Sequence, residues 1–204
     1  MERSQDQQII MESPEKIWLV EYQHGRVNAM GELVEHYRRP LFGFILRMTE
    51  GRQDAEEIFQ EVWFRVIRNL DSYQDKKFLS WLFRIAHNLI IDRARKFKPI
   101  VELPSGESGS ESEIETRIPS PDISPALQAE GRDLGRRIST AVSHLPQEQK
   151  EVFLMRMEGD LPFKEIAKIQ GTSINTALAR MQYALAKLRD ELKTDYRDIT
   201  GEHP

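Results

Sequence analysis

Between residues 15 and 98 the apolar positions recur with helical spacing. In DAEEIFQEVWFRVIRNL, residues 54–70, Ile58, Phe59, Val62, Trp63, Val66, Ile67 and Leu70 form one stripe. The opposite face carries Asp54, Glu56, Glu57, Gln60 and Glu61. KIWLVEYQHG reads as a short amphipathic helix. AMGELVEHYRRPLFGFILRMTEG places Leu33, Val34, Tyr37, Leu41, Phe42, Ile45 and Met48 at helical spacing, with Pro40 expected to kink or split it. A break at DSYQDKKF precedes a further strong helix, FLSWLFRIAHNLIIDRARKFK. No stretch sustains a period of two. The pattern predicts an all-α unit of about four helices over residues 14–98.

From Pro99 the pattern stops. Residues 99–132 are rich in Pro, Ser, Gly and Glu and poor in large apolar side chains. Such a stretch buries too little surface to offset its ordering entropy, so it reads as a flexible linker. Helical spacing resumes over residues 133–194. LGRRISTAVSHL is followed by PQEQKEVFLMRMEG, where Pro146 suits a helix start. PFKEIAKIQGTSINTALARMQYALAKLRDEL then reads as helix, turn, helix. Gly171 suits the left-handed position that closes the first and Ser173 the cap of the second. The polar tail KTDYRDITGEHP is expected to fray.

Composition narrows the class. The 204 residues are 30% charged and 39% hydrophobic, as in a soluble globular protein, and contain no cysteine for disulfides or thiolate chemistry. The N-terminus lacks the basic and apolar regions of a signal peptide. No apolar run approaches the roughly 18 residues of a membrane span. The expected location is the cytoplasm, without membrane insertion. The net charge of −4 hides a split. Lys76 to Lys98 holds seven basic residues against Asp92, a local +6; Pro99 to Leu134 holds eight acids against Arg117 and Arg132, a local −6. The basic block suits a polyanion; the acidic one suits masking or mimicry.

The C-terminal helix pair has the form of a helix-turn-helix, whose second helix reads base edges in the major groove. Its outward positions are Asn175, Thr176, Leu178, Ala179, Arg180 and Gln182. Asn and Gln can read adenine, and Arg guanine or phosphate. The same spacing also fits a hairpin that only packs. SWLFRIAHNLIIDRARK interleaves aromatics with basic residues, as single-stranded nucleic acid requires, although Trp81, Phe83 and Ile85 also fit core positions. His87 stands apart from other metal-ligating residue types and reads as structural or surface. There is no glycine-rich phosphate loop, no HExxH and no nucleophile triad pattern, so neither enzyme activity, a metal nor a cofactor is expected.

DAEEIFQEVWFRVIRNLDSYQDKKFLSWLFRIAHNLIIDRARK resembles region 2 of bacterial sigma factors, and LPQEQKEVFLMRMEGDLPFKEIAKIQGTSINTALARMQYALAKLR resembles their region 4. The order, with no region 3 between them, is similar to the extracytoplasmic-function class, group IV of the sigma-70 family. The resemblance implies two helical domains, a region 2 bundle and a region 4 helix-turn-helix, on an acidic linker. It implies core RNA polymerase as partner, through the β′ clamp helices and the β flap. The positions matching the clamp contact are Glu57, Gln60, Glu61, Trp63 and Ile67. It also implies promoter DNA, with Lys76, Lys77, Trp81, Arg84, Ile85, Asn88, Arg93 and Arg95 at the −10 element. The loop DSYQDKKF matches the site for a flipped base. An anti-sigma factor is a further implied partner.

By the same resemblance, Ser173, Asn175, Thr176, Leu178, Ala179, Arg180 and Gln182 face the −35 element. This chain departs from the usual pattern there. Leu178 and Ala179 stand where a basic residue and a serine are common, which implies fewer phosphate contacts and a shallower salt dependence. The acidic linker matches a connector that runs through the polymerase RNA path, and a plain tether fits it equally. Two other functions remain open at this stage. One is a sigma-like decoy that titrates an anti-sigma factor or core polymerase; the other is a stand-alone helix-turn-helix repressor.

Overall fold

A computed structural model describes residues 14–70, 73, 77–97 and 125–200. Lys76, most of the linker and the first 13 residues fall outside these. The described residues form eight helices and no strand. The first unit holds α1 (Pro14–Gln23), α2 (Asn28–Met48), α3 (Arg52–Asn69) and α4 (Phe78–Phe97). The second holds α5 (Pro125–Ser143), α6 (Gln147–Gly159), α7 (Phe163–Ile169) and α8 (Ile174–Thr200).

In the first unit α2 lies between α1 and α3, and α4 closes the bundle against α2 and α3. Leu33, Leu41, Phe44, Ile45, Val62, Val66, Leu82 and Phe83 are fully buried. These are the stripe positions of three helices, so the apolar period directly yields the core. Pro40 does not split α2, which continues from Asn28 to Met48. Tyr37, Leu41, Phe44 and Ile45 are buried on either side of it, and their burial offsets the missing backbone hydrogen bond.

In the second unit α8 packs along α5, α6 and α7 around Leu154, Met155, Ile166, Ala177 and Ala184. The α6–α7 turn is fixed at Asp160, whose φ of 46° is left-handed. Its N–H donates to the Met155 carbonyl, and the Arg156 guanidinium donates to the carbonyls of Asp160 and Leu161. Those bonds stabilise a conformation that an L-residue seldom adopts, and they deliver Leu161 into the core. Gly171 takes the expected left-handed φ, 64°, and Ser173 caps α8 by accepting the Thr176 N–H at 3.0 Å. Two expectations are corrected. α5 begins at Pro125, inside the stretch read as linker, where a first-turn proline needs no hydrogen-bond partner. The tail does not fray at once: α8 runs to Thr200, because no glycine or proline interrupts it before Gly201.

The two units close on one another. α6 packs across α2 and α4, and α7 against α4. At the centre Gly159 lies on the buried Phe83 ring, so close that a Cβ would stand 2.7 Å from Phe83 Cζ. Phe83 in turn packs on Phe44, ring centres 5.0 Å apart. Among the described residues, two ion pairs, Arg47–Glu158 and Lys77–Glu165 at 3.1 Å, and a His87–Glu151 hydrogen bond at 3.2 Å surround this contact. Burial pushes the Glu151 carboxyl up. Hydrogen bonds with His87 and Gln170, the nearby His87 charge and Gln147 outweigh it and hold the group below its ordinary 4.5. Glu165 behaves alike: burial raises it, but Lys77 and Lys168 bring it below its ordinary value.

A depressed carboxylate contributes stability that is fully present above its unfolded value and is lost as pH falls through the folded one. Urea unfolding of the full chain should therefore show stability declining as pH drops below 4.5. The double variant Glu151→Gln, Glu165→Gln should flatten that acid limb; an unchanged slope would place the acid sensitivity elsewhere. Phe44→Ala, in the core beneath the contact, should cost about 3–5 kcal/mol by the same measurement.

Candidate polymerase and promoter interfaces

α3 has nearly all its apolar stripe turned inward and its acids outward. Glu57, Gln60, Glu61 and Ile67 are exposed along one strip, as the candidate polymerase surface requires. Trp63 is not on that strip. It is 6% exposed and packs against Phe59 and Phe78, so the indole belongs to the core. The next residue, Phe64, is 63% exposed and is the aromatic that the strip presents. One helical step of 100° separates the two, and the sequence pattern alone, with FxxxWF in register, did not distinguish them. Glu61 is joined by Arg65 at 3.0 Å, a pair on the surface of α3.

α4 carries the candidate −10 residues on its outer side. Arg84, Asn88 and Arg95 are exposed; Trp81 and Ile85 are half-buried. Trp81 stacks on Tyr73, ring centres 4.8 Å apart and planes 28° from parallel. Tyr73, in the DSYQDKKF loop, was not singled out from sequence, although an aromatic in a loop read as a base site was a usable signal. Lys77 is exposed and tied to Glu165 of α7. Arg93 does not join the other cations. Its guanidinium meets Asp54 at 2.5 Å and Glu57 at 2.9 Å on α3. The hydrogen bond to Glu57 and the charges of both acids raise its pKa from the ordinary value, against a desolvation that lowers it. Arg93 thus links the candidate DNA helix to the candidate polymerase strip. Lys76 lies outside the described residues.

In α8 and the turn before it, Asn175, Thr176, Leu178 and Gln182 are exposed, and Ala179 is half-buried. Ser173 is exposed, but its hydroxyl is engaged by the Thr176 N–H and Oγ1. Arg180 is not extended from the helix. It donates to Glu148 at 2.6 Å and to Gln170 at 3.0 Å. Gln170 in turn donates to Glu151 at 2.7 Å, and Glu151 meets His87 of α4. A continuous polar chain therefore runs from the −10 candidate helix to the −35 candidate helix. His87, read as structural or surface, is its first member, and Glu151 is its centre. Among the described residues no cluster of His, Cys, Asp or Glu could hold a metal ion, and no helix is long and apolar enough to cross a membrane.

Residues 33–98 match the family Sigma-70 region 2, and residues 135–188 match Sigma-70, region 4. The chain is 29% identical over 171 residues to the ECF RNA polymerase sigma factor SigW of Bacillus subtilis strain 168, spanning 83% of this chain and 91% of that protein. It is 28% identical to SigM of the same strain, over 84% of this chain and 98% of that protein. The fold is similar to CnrH, solved in complex with the cytosolic domain of CnrY, with a TM-score of 0.62 at 22% identity over 90% of this chain and 99% of that one. It is also similar to the sigma factor RpoE in complex with the anti-sigma factor NepR from Bartonella quintana, with a TM-score of 0.59 at 17% identity, over 82% of this chain and 99% of that one. Two matched regions in order, on a fold whose second unit ends in a capped helix-turn-helix, place the chain in the sigma-70 family as an ECF sigma factor, a DNA-binding regulator of transcription initiation.

Proposed function

We propose that α3 docks on the β′ clamp helices of core RNA polymerase through Glu57, Gln60, Glu61, Phe64 and Ile67. The observation that carries this is the exposed strip itself: acids and an amide beside two large apolar side chains. Rim charges orient a partner and speed encounter, while an exposed aromatic supplies the contact that holds it. Trp63 then acts from behind, as the core residue that sets the pitch of the strip.

The −10 element is read by the outer side of α4. Arg84, Asn88 and Arg95 supply phosphate and base-edge contacts, and the Tyr73–Trp81 stack offers an aromatic platform beside the loop that would take a flipped base. α8 reads the −35 duplex through Asn175, Thr176, Leu178, Ala179 and Gln182, with Arg180 at phosphate or guanine once released from Glu148. Ser173 serves chiefly as the cap that starts this helix. Residues 14–98 and 133–194 are the two working domains, and the second also meets the β flap. The work is binding and strand capture, with no bond made or broken by the chain. An anti-sigma factor is the fitting antagonist, and the cytoplasm the fitting location. Two similar solved structures are complexes, CnrH with the cytosolic domain of CnrY and RpoE with the anti-sigma factor NepR.

Gln60→Ala with Glu61→Lys, both on the surface, should abolish binding to purified core polymerase while the circular dichroism spectrum stays that of the parent; unchanged affinity would refute the docking strip. Asn88→Ala should spare core binding and impair open-complex formation, followed by permanganate reactivity at the promoter. Normal melting in that variant would count against the −10 assignment.

A further inference from the structure

Successive residues of α8 turn by about 100°, so its sides differ in what they face. Ala177, Ala184 and Leu188 are buried and mark the side turned to the core. The opposite side carries Asn175, Ala179, Gln182 and Ala186 in one row, at steps of four, three and four residues. Two flanks border the row. One is apolar: Ile174, Leu178 and Leu185, all exposed. The other is polar: Thr176, Arg180, Tyr183 and Lys187. A helix with its side chains is about 10–12 Å across, and the major groove of DNA is about 12 Å wide. In that groove the row meets base edges, and the flanks meet the sugar–phosphate strands.

The polar flank carries two cations, and both are engaged within the second unit. Arg180 donates to Glu148 and Gln170. The Lys187 ammonium donates to the His144 carbonyl at 2.8 Å. The Thr176 hydroxyl shares a hydrogen bond with the Ser173 hydroxyl. Tyr183 is the exception. It is 66% exposed, more than any other large apolar side chain described on α8. Its hydroxyl meets no described residue. A phenol placed in this way has a ring to cover and a donor to satisfy, which is the character of an interface residue.

Resting on the reading of α8 as the −35 helix, we propose that Tyr183 is a contact to the DNA backbone. Its ring lies along the sugar of one strand, and its hydroxyl donates to a phosphate oxygen at the edge of the groove. Tyr183 reaches the strand without giving up a partner, whereas Arg180 and Lys187 would each have to lose one. The phenol is uncharged and releases no condensed counterion, so it adds affinity without steepening the salt dependence. A phosphate contact carries no sequence information but fixes where the helix sits. Tyr183 thereby sets the register in which Asn175 and Gln182 meet the bases.

The test uses the full chain bound to purified core polymerase. The parent complex first enriches fragments from genomic promoter DNA, and the best-enriched fragment is the probe. Tyr183→Phe, which keeps the ring and loses the donor, should weaken binding to that fragment about tenfold. Tyr183→Ala should weaken it further. Both should enrich the same upstream sequence as the parent, and both should melt at the parental temperature because the side chain is exposed. Tyr183→Arg puts a charge at the strand, so the plot of log affinity against log salt should steepen by about 0.9. Parental affinity in the Phe and Ala variants would overturn the contact, as would a parental salt slope in the Arg variant. A changed upstream preference in Tyr183→Ala would also overturn it, because the residue would then be reading a base. If the parent enriches no common upstream element, the −35 reading of α8 falls and takes this contact with it. Enrichment by the parent with indifferent Tyr183 variants removes the contact alone.

Discussion

The Phe83 ring is the point on which the architecture turns. It is buried from below by Phe44 of α2 and from above by Gly159 of α6. Only a glycine fits at that distance, so the first unit's core ends where the second unit's backbone begins. Apolar burial is non-directional and would permit many dockings of two helical bundles. The surrounding ion pairs remove that freedom. Arg47 and Lys77 each meet one acid and His87 hydrogen-bonds a third, and the three acids lie seven residues apart on a row that fits one register. Packing holds the units together, and charge decides how. The charges also carry a cost, because leaving either buried carboxylate without its partner would be expensive.

Two of the candidate DNA contacts are engaged within the chain: Lys77 is held by Glu165, and Arg180 by Glu148 and Gln170. For Lys77 and Arg180 to contact DNA, those partners would have to be exchanged for phosphate. That exchange is close to neutral in charge, so small differences in contact area or ionic strength decide which side wins. Arg93 shows the principle within one domain. It is drawn to Asp54 and Glu57, which couples the candidate DNA helix to the acids of the candidate polymerase strip.

Much of this was legible in the chain. Helical periodicity located α2, α3 and α4 because each buries a stripe, and the caps Gly171 and Ser173 fixed the helix-turn-helix because left-handed backbone and a side-chain acceptor are local requirements. Pattern failed where neighbours decide. Pro40 sits in an unsplit α2 because flanking side chains are buried on partners that local rules do not see. Trp63 and Phe64 differ by one helical step, and only the position of Phe59 and Phe78 draws the indole inward. The acid row Glu151, Glu158, Glu165 was not singled out in the sequence. Its meaning depended on a contact between two units separated by the linker, for which one sequence has no signal.

As an ECF sigma factor, the chain confers promoter choice on core RNA polymerase. The most direct test is transcription in vitro from a pool of genomic promoter fragments, with purified core polymerase, with and without this protein. Transcripts that appear only with the protein, from fragments sharing paired −35 and −10 elements, are the predicted result. A chain that binds core polymerase yet yields no specific transcript would contradict it.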